Sequence, residues 1–145
     1  MSRCSVKRSL PMDWVDWEDL TSPGQVKLSA WLETLAPFNV AFVVGQIDAL
    51  RELAAEGRIT HGDTGKLNPI RDEPEIYELK WKLLSVAVRQ YHGEPTTFPT
   101  DLVRLHMHIK EFVPGDRKAT SALQDIEIEF AVKRYVDGEP ANWGM

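Results

Sequence analysis

Two alternating stretches of the chain decide the fold, IYELKWK at residues 76–82 and DLVRLHMHIKEF at residues 101–112. In the first, three apolar residues alternate with three charged ones, namely Tyr77, Leu79 and Trp81 with Glu78, Lys80 and Lys82. In the second, four apolar residues alternate with four basic ones, namely Val103, Leu105, Met107 and Ile109 with Arg104, His106, His108 and Lys110. A period of two places each set on its own face of a β-strand, so both stretches are predicted to be half-buried strands. A β-prone run at residues 84–91 lies between them, and the three together predict an antiparallel meander.

Upstream of the meander the sequence predicts a helical hairpin. Ser22, Pro23 and Gln25 form a helix start, with an N-cap, a proline at the first helical position and an S-x-x-Q capping box. An apolar stripe follows at helical spacing, at Leu28, Trp31, Leu32 and Leu35. Pro37 is expected to end this helix, and a second helix is expected from an Asn39 cap to Gly57. Its buried face is predicted at Val40, Val43, Val44, Ile47, Leu50 and Ala54.

The remaining segments complete an α+β domain. The alternation at residues 13–18 predicts an N-terminal strand beside the meander, and a last helix is expected from about Ser121 to Val136. Residues 58–74, rich in Gly, Pro, Asp and Thr, are predicted to be a loop. The expected order is an N-terminal strand, a two-helix hairpin, a three-stranded antiparallel meander and a C-terminal helix. This domain is expected to span residues 13–138, with a basic N-terminal extension at 1–12 and a loose tail at 139–145.

Composition and charge exclude several classes of protein. With 145 residues, 43% hydrophobic, 27% charged and one cysteine, the chain is neither a disordered protein nor a cystine scaffold. Its longest apolar stretch, at residues 38–45, is too short to span a bilayer, and a cytoplasmic location is the expectation. The net charge of −5 argues against indiscriminate nucleic-acid binding. Residues 76–118 nevertheless carry seven Lys or Arg against five Asp or Glu, while the rest carries ten against seventeen.

The polar sides of the two alternating strands are the candidate site. If they coincide, up to six groups share one surface, namely Lys80, Lys82, Arg104, His106, His108 and Lys110. Lys and Arg can neutralise the charge that develops on phosphate oxygens, and a His can transfer a proton near neutral pH. The pattern is therefore compatible with binding or cleavage of a phosphodiester, without a cofactor or a metal. Two other interpretations stay open: a merely solvated strand face, and a metal site at His106-x-His108.

Four short segments, in this order along the chain, resemble the RelE/HigB-like toxin superfamily, especially its phage-derived branch. Residues 66–69 are similar to that family's K-x-L segment, and residues 74–80 (PEIYELK) to its xLYELR strand. Residues 102–110 (LVRLHMHIK) are similar to its VLLHGFVKK strand, with His106 and Lys110 on the His and the first Lys. Residues 125–135 (DIEIEFAVKRY) resemble its closing EIExAxxRxxxY helix.

The resemblance implies a RelE/ParE-like fold and the toxin of a type II toxin–antitoxin system. Such toxins are metal-independent, ribosome-dependent mRNA endoribonucleases that a cognate antitoxin, here expected to be a helix-turn-helix protein, silences. The implied catalytic residues are His106 for proton transfer, Lys80 for phosphate positioning, and Arg89 or Arg104 for charge stabilisation. The implied RNA-binding residues are Lys66, Lys82, His108, Lys110, Arg117 and Lys118, the last two in a basic loop before the final helix.

Some features depart from the family pattern and leave other functions open. The family's Arg in the third strand falls near Val86 here, and Arg89, three residues on, is expected on the other face. Two alternatives are a toxin-fold protein that inhibits a protein such as a topoisomerase, and a non-toxic phage-associated interaction module.

Overall fold

The computed structural model describes residues 12–18, 21–59 and 66–145. In chain order the strands are β1 (Asp13–Asp16), β2 (Leu67–Asp72), β3 (Glu75–Leu83), β4 (Val86–Gly93) and β5 (Asp101–Ile109). The helices are α1 (Pro23–Glu33), α2 (Pro37–Ala55) and α3 (Arg117–Gly138), followed by a 3₁₀ helix at Glu139–Gly144. The α+β class is confirmed, and the structure contains one strand, β2, that the expected order of elements lacks.

The strands form one mixed sheet in the order β1-β5-β4-β3-β2. Strands β2 to β5 pair antiparallel, and β1 pairs parallel with β5 at one edge. The prediction of a loop over residues 58–74 is wrong at residues 67–72, which form β2, and residues 60–65 of this range lie outside the described residues. Pro69 argues against a central strand, but β2 pairs only with β3, and an edge strand tolerates proline.

Each face of the sheet has its own apolar core. The helical hairpin α1–α2 packs on one face through a cluster that includes Val43, Leu79 and Trp81. Helix α3 covers the other face through a second cluster that includes Tyr91 and Ile128. The side of the sheet to which a residue points therefore decides which helix layer it meets.

Both helices after the first begin at different residues from those predicted. Ser22 caps α1 as predicted, accepting from the Gln25 backbone N–H at 3.4 Å. Helix α1 already ends at Glu33, and Pro37 starts α2, where its missing N–H costs nothing. Helix α3 begins at Arg117 rather than Ser121, because the Asp116 side chain accepts from the Ala119 N–H at 2.9 Å. Of the predicted buried face of α2, Val43, Ile47, Leu50 and Ala54 are buried, whereas Val40 is half-buried and Val44 is 41% exposed.

The two predicted terminal extensions are only partly described. Met12 is buried, and its N–H donates to the Ala55 carbonyl at 2.6 Å, so it belongs to the domain; residues 1–11 lie outside the described residues. The prediction of a loose tail at 139–145 is wrong. Trp143 is buried against Phe98 and Tyr135, and its Nε1 donates to the Tyr135 carbonyl at 3.1 Å.

Within the described ranges the α-helices are 11, 19 and 22 residues long. None of them combines the length and the apolar character that a bilayer crossing requires.

Helix α1 approaches β5 so closely that Gly24 has no room for a side chain. A Cβ there would lie 2.2 Å from the Met107 carbonyl oxygen, whereas one at Gly45, inside α2, would meet nothing within 4 Å. We therefore expect Gly24→Ala to lower the free energy of unfolding by about 1–3 kcal/mol. Gly45→Ala, the matched control, should raise it by about 0.5–1 kcal/mol because alanine favours the helix. Urea denaturation of both variants measures this, and a Gly24→Ala protein as stable as the wild type would contradict the packing described.

Candidate functional site

A bulge in β5 splits the polar face that the sequence predicted to be continuous. In the β4–β5 ladder Tyr91 pairs with His106 and His92 with Arg104, so Leu105 is an extra residue on the β5 side. Arg104 therefore points to the hairpin side of the sheet. Its Nε lies 3.4 Å from Asp16 Oδ1, which also binds Arg51 of α2 at 2.7 Å. The prediction that Arg104 shares a surface with His106 is wrong.

His106 is sealed beneath α3 and is 0% exposed. Its Nε2 lies 2.5 Å from Glu127 Oε2, and its Nδ1 faces Arg134 Nη1 at 2.5 Å and Glu18 Oε2 at 3.4 Å. Burial lowers the pKa of His106, but the interactions with Glu127 and Glu18 outweigh burial and raise the pKa above its ordinary value. Both ring nitrogens are engaged inside the protein. The expectation of a solvent-facing His106 that transfers a proton to a substrate is therefore wrong.

Glu18, which was not among the site residues predicted from the sequence, is the central acceptor of this buried network. Its carboxylate accepts from Ser22 Oγ at 2.7 Å, from Gln25 Nε2 at 3.0 Å and from the Met107 N–H at 2.8 Å. Burial raises the pKa of Glu18, but hydrogen bonds from His106, Gln25 and Ser22 hold the pKa below its ordinary value. One signal was available: an acid shortly before an S-x-x-Q helix start can accept from the same capping residues.

His108 is also buried, at 2% exposure, at the bottom of a cleft of about 180 Å³ between β5 and α3. Its Nε2 is 2.9 Å from the Tyr91 hydroxyl and its Nδ1 is 3.2 Å from the Ile109 carbonyl oxygen. Burial lowers the pKa of His108 to about 4, so its ring is neutral at neutral pH. Because His108 has almost no exposed surface, the prediction that it contacts RNA is wrong.

Three half-buried cations, Lys80, Arg89 and Lys110, lie close together on the α3 face of the sheet. Lys80 pairs with Arg89 across β3 and β4, and Arg89 pairs with His108 across β4 and β5. Directly opposed residues point to the same face, so Arg89 lies beside Lys80, whereas Val86, which pairs with Leu83, lies on the hairpin face. The prediction that Arg89 and Val86 lie on different faces is confirmed. Lys110 follows β5 on this side, and its N–H donates to the Ala87 carbonyl at 2.8 Å.

A cleft of about 620 Å³ opens between the end of β5 and the first turns of α3. Its lining includes Lys110, Phe112, Arg117, Thr120, Ser121 and Gln124. Phe112 is 61% exposed, and Lys110 Nζ lies 5.2 Å from the centre of its ring. We call this cleft, together with Lys80 and Arg89 on the adjoining sheet, the cationic cleft.

The cations of the cationic cleft repel one another. Partial burial, Arg89 and Lys80 together lower the pKa of Lys110. Glu78 lies among them at 4% exposure, with its Oε2 3.8 Å from Arg89 Nε. Like charges held close together favour an incoming anion, so the arrangement is suited to bind phosphate.

The other predicted RNA-binding residues lie around this cleft or apart from it. The Lys66 carbonyl accepts from the Lys80 N–H at 2.9 Å, which places Lys66 at the neighbouring sheet edge. Lys82 is exposed on β3, and Lys118 is exposed in the first turn of α3 rather than in a loop. His61 lies outside the described residues. Among residues 12–18, 21–59 and 66–145 no three His, Cys, Asp or Glu side chains are placed to hold a metal ion.

The buried network predicts how stability depends on pH. Burial raises the pKa values of Glu18 and Glu127, but His106 and the other hydrogen-bond donors hold them below the ordinary value. Their stabilising contribution is therefore complete above about pH 4.5, the usual unfolded value, and is lost as the pH falls through the lowered native values. Urea denaturation between pH 7 and pH 3 should show this loss of unfolding free energy.

Replacing the Glu18 carboxylate tests the same network at constant pH. We expect Glu18→Gln to lower the free energy of unfolding at pH 7 by about 3 kcal/mol, because it leaves buried cations without their carboxylate. It should also flatten the dependence on pH below pH 5. Glu33→Gln, at an exposed position of α1, should stay within about 0.5 kcal/mol of the wild type. Equal stability of the two variants would show that Glu18 does not hold these elements together.

Compared with known proteins, the chain matches no protein-family model, no curated protein and no solved structure. The likeness to RelE/HigB-like toxins therefore stands on the four short sequence segments alone.

Proposed function

We propose that this protein binds the phosphate backbone of RNA in the cationic cleft and acts as the toxin of a type II toxin–antitoxin system. The observation that carries RNA binding is that Lys80, Arg89 and Lys110 lie close together on one sheet face and that Lys110 shares a cleft with Arg117 and the exposed ring of Phe112. Lys and Arg neutralise phosphates, and an exposed aromatic ring offers a stacking surface for a base. The toxin part of the proposal comes from the resemblance at residues 66–135. It implies a cytoplasmic protein that meets mRNA on the ribosome and is silenced by a helix-turn-helix antitoxin.

Cleavage of the bound RNA is the further step of this proposal. The 2′-hydroxyl would lose its proton and attack the adjacent phosphorus, the bond to the 5′-oxygen would break as that oxygen takes up a proton, and a 2′,3′-cyclic phosphate would form. Arg89 would stabilise the charge on the phosphate oxygens, and Lys80 and Lys82 would position the phosphate. His106 has no direct part, because it is fully buried. Proton transfer would fall to groups inside the cleft, where Lys110 is the candidate because its pKa is lowered by burial and by Arg89.

A second candidate function is that of a toxin-fold protein without nuclease activity, or of a non-toxic module, that acts by binding another protein. The observation that favours it is an apolar surface on the helical hairpin, where Phe38, Phe42 and Val44 are 81%, 43% and 41% exposed. Exposed apolar patches of this kind are typical of protein interfaces. The sealed histidines agree with this alternative equally well.

Induced expression in a bacterial host separates these functions. We expect the wild-type protein to arrest growth and to produce new 5′ ends within mRNA, measured by primer extension. The double variant Lys80→Ala/Arg89→Ala should lose both effects, because it removes two of the cleft's cations. The control Arg58→Ala/Lys133→Ala removes the same charges from side chains 69% and 72% exposed, outside the cleft, and should keep both.

Each other outcome contradicts the proposal in a different way. Undiminished mRNA cleavage by the cleft variant would exclude the cationic cleft as the site. Growth arrest with DNA-damage signalling and no cleavage would support the protein-binding toxin. Absence of any growth effect from the wild type would support the non-toxic module.

A further inference from the structure

Asp116 lines the cationic cleft and caps α3, and a second carboxylate, that of Glu78, is buried close to Arg89, Lys80 and Lys110. Its Oε2 accepts from Gln124 Nε2 at 2.9 Å and lies 3.8 Å from Arg89 Nε. The residue is 4% exposed, so its charge is poorly screened by solvent. Any phosphate bound in the cleft would meet this negative charge behind the cations.

Cations approach Glu78 from three parts of the sheet. Lys80 stands two residues along β3, Arg89 comes from β4, and Lys110 comes from the end of β5; each stabilises the ionised carboxylate. The remaining groups that face Glu78 are Tyr91, its register partner on β4; Asn68, its partner on β2; and Gln124 of α3.

We propose that Glu78 is a built-in counter-anion that competes with the phosphate groups of RNA for Arg89, Lys80 and Lys110. This inference rests on the proposed RNA-binding function and names a residue that sets the strength of that binding. The Arg89 guanidinium is held against the sheet backbone, because its Nη1 donates to the carbonyls of Val88 at 3.1 Å and Trp81 at 3.3 Å. Glu78 and these carbonyls hold the guanidinium in the position from which a phosphate must attract it.

The competition depends on pH in a definite direction. Burial raises the pKa of Glu78, although Arg89, Lys80 and Lys110 oppose the rise. Glu78 therefore takes up a proton at a higher pH than an ordinary glutamate does. Once neutral, it no longer competes, so RNA binding strengthens as the pH falls.

The test compares Glu78→Gln with Glu111→Gln. Glutamine keeps the size of Glu78 and can still accept from Gln124 but carries no charge. Glu111 follows Lys110 in the chain and pairs with Lys27 of α1 at 3.0 Å, so its replacement changes the net charge equally without touching the cluster. Fluorescence anisotropy with a labelled 15-nucleotide single-stranded RNA, at constant salt, gives the affinities. Sodium tripolyphosphate, followed by calorimetry, serves as a second probe that contains phosphate but no RNA.

We expect Glu78→Gln to bind the RNA about fivefold more tightly than the wild type at pH 7.5, and Glu111→Gln to bind within about twofold of it. From pH 7.5 to 5.5 the wild type should gain more affinity than Glu78→Gln, because only the wild type carries a carboxylate at position 78 that can take up a proton. Equal affinities of the two variants, or parallel pH profiles of wild type and Glu78→Gln, would overturn the inference. Tripolyphosphate binding that strengthens in Glu78→Gln, without RNA binding, would keep Glu78 as the counter-anion and overturn the RNA function. Binding of neither probe would overturn both.

Discussion

The Glu18 carboxylate is the interaction on which the arrangement of this protein depends. It follows β1, accepts from both capping residues of α1 and from the backbone of β5, and faces His106 and the Arg134 guanidinium of α3. An ionised carboxylate at 4% exposure is costly unless such partners surround it. With them, one side chain ties the first strand, the hairpin, the central sheet and the last helix into one geometry.

The consequence for function is a division of β5 into a structural part and a part that faces the cleft. The bulge at Leu105 sends Arg104 to the hairpin side, while His106 and His108 turn toward α3 and are covered by it. Lys110 lies beyond this cover, next to the first turn of α3. The basic and imidazole groups that alternate in the sequence therefore have different roles. His106 and His108 stabilise the interior, and Lys110 lines an open cleft.

Much of the fold could be predicted from local signals, because those signals act over a few residues. Alternation gave β3 and β5, and the Ser22–Pro23 start gave α1. The edge strand β2 was missed because Pro69 argues against a strand unless its edge position is known. In the candidate site, alternation predicted that Lys80 and Lys110 share a face, as they do in the structure, whereas Arg117, predicted in a loop, is the first residue of α3. The sealing of His106 was not predictable, since its partner Glu127 lies 21 residues away on a helix whose docking is a tertiary event.

The cations of the cationic cleft, rather than the buried histidines or the apolar hairpin, are proposed to form the site for a phosphate-bearing ligand. Nuclear magnetic resonance of the ¹⁵N-labelled protein, titrated with a short single-stranded RNA, tests this proposal most directly. The largest shift changes are expected at Lys80, Arg89, Lys110 and Arg117, with the signals of Glu18, His106 and α2 unchanged. Shift changes centred on Phe38 and Phe42, or on His106, with the cleft unaffected, would contradict it.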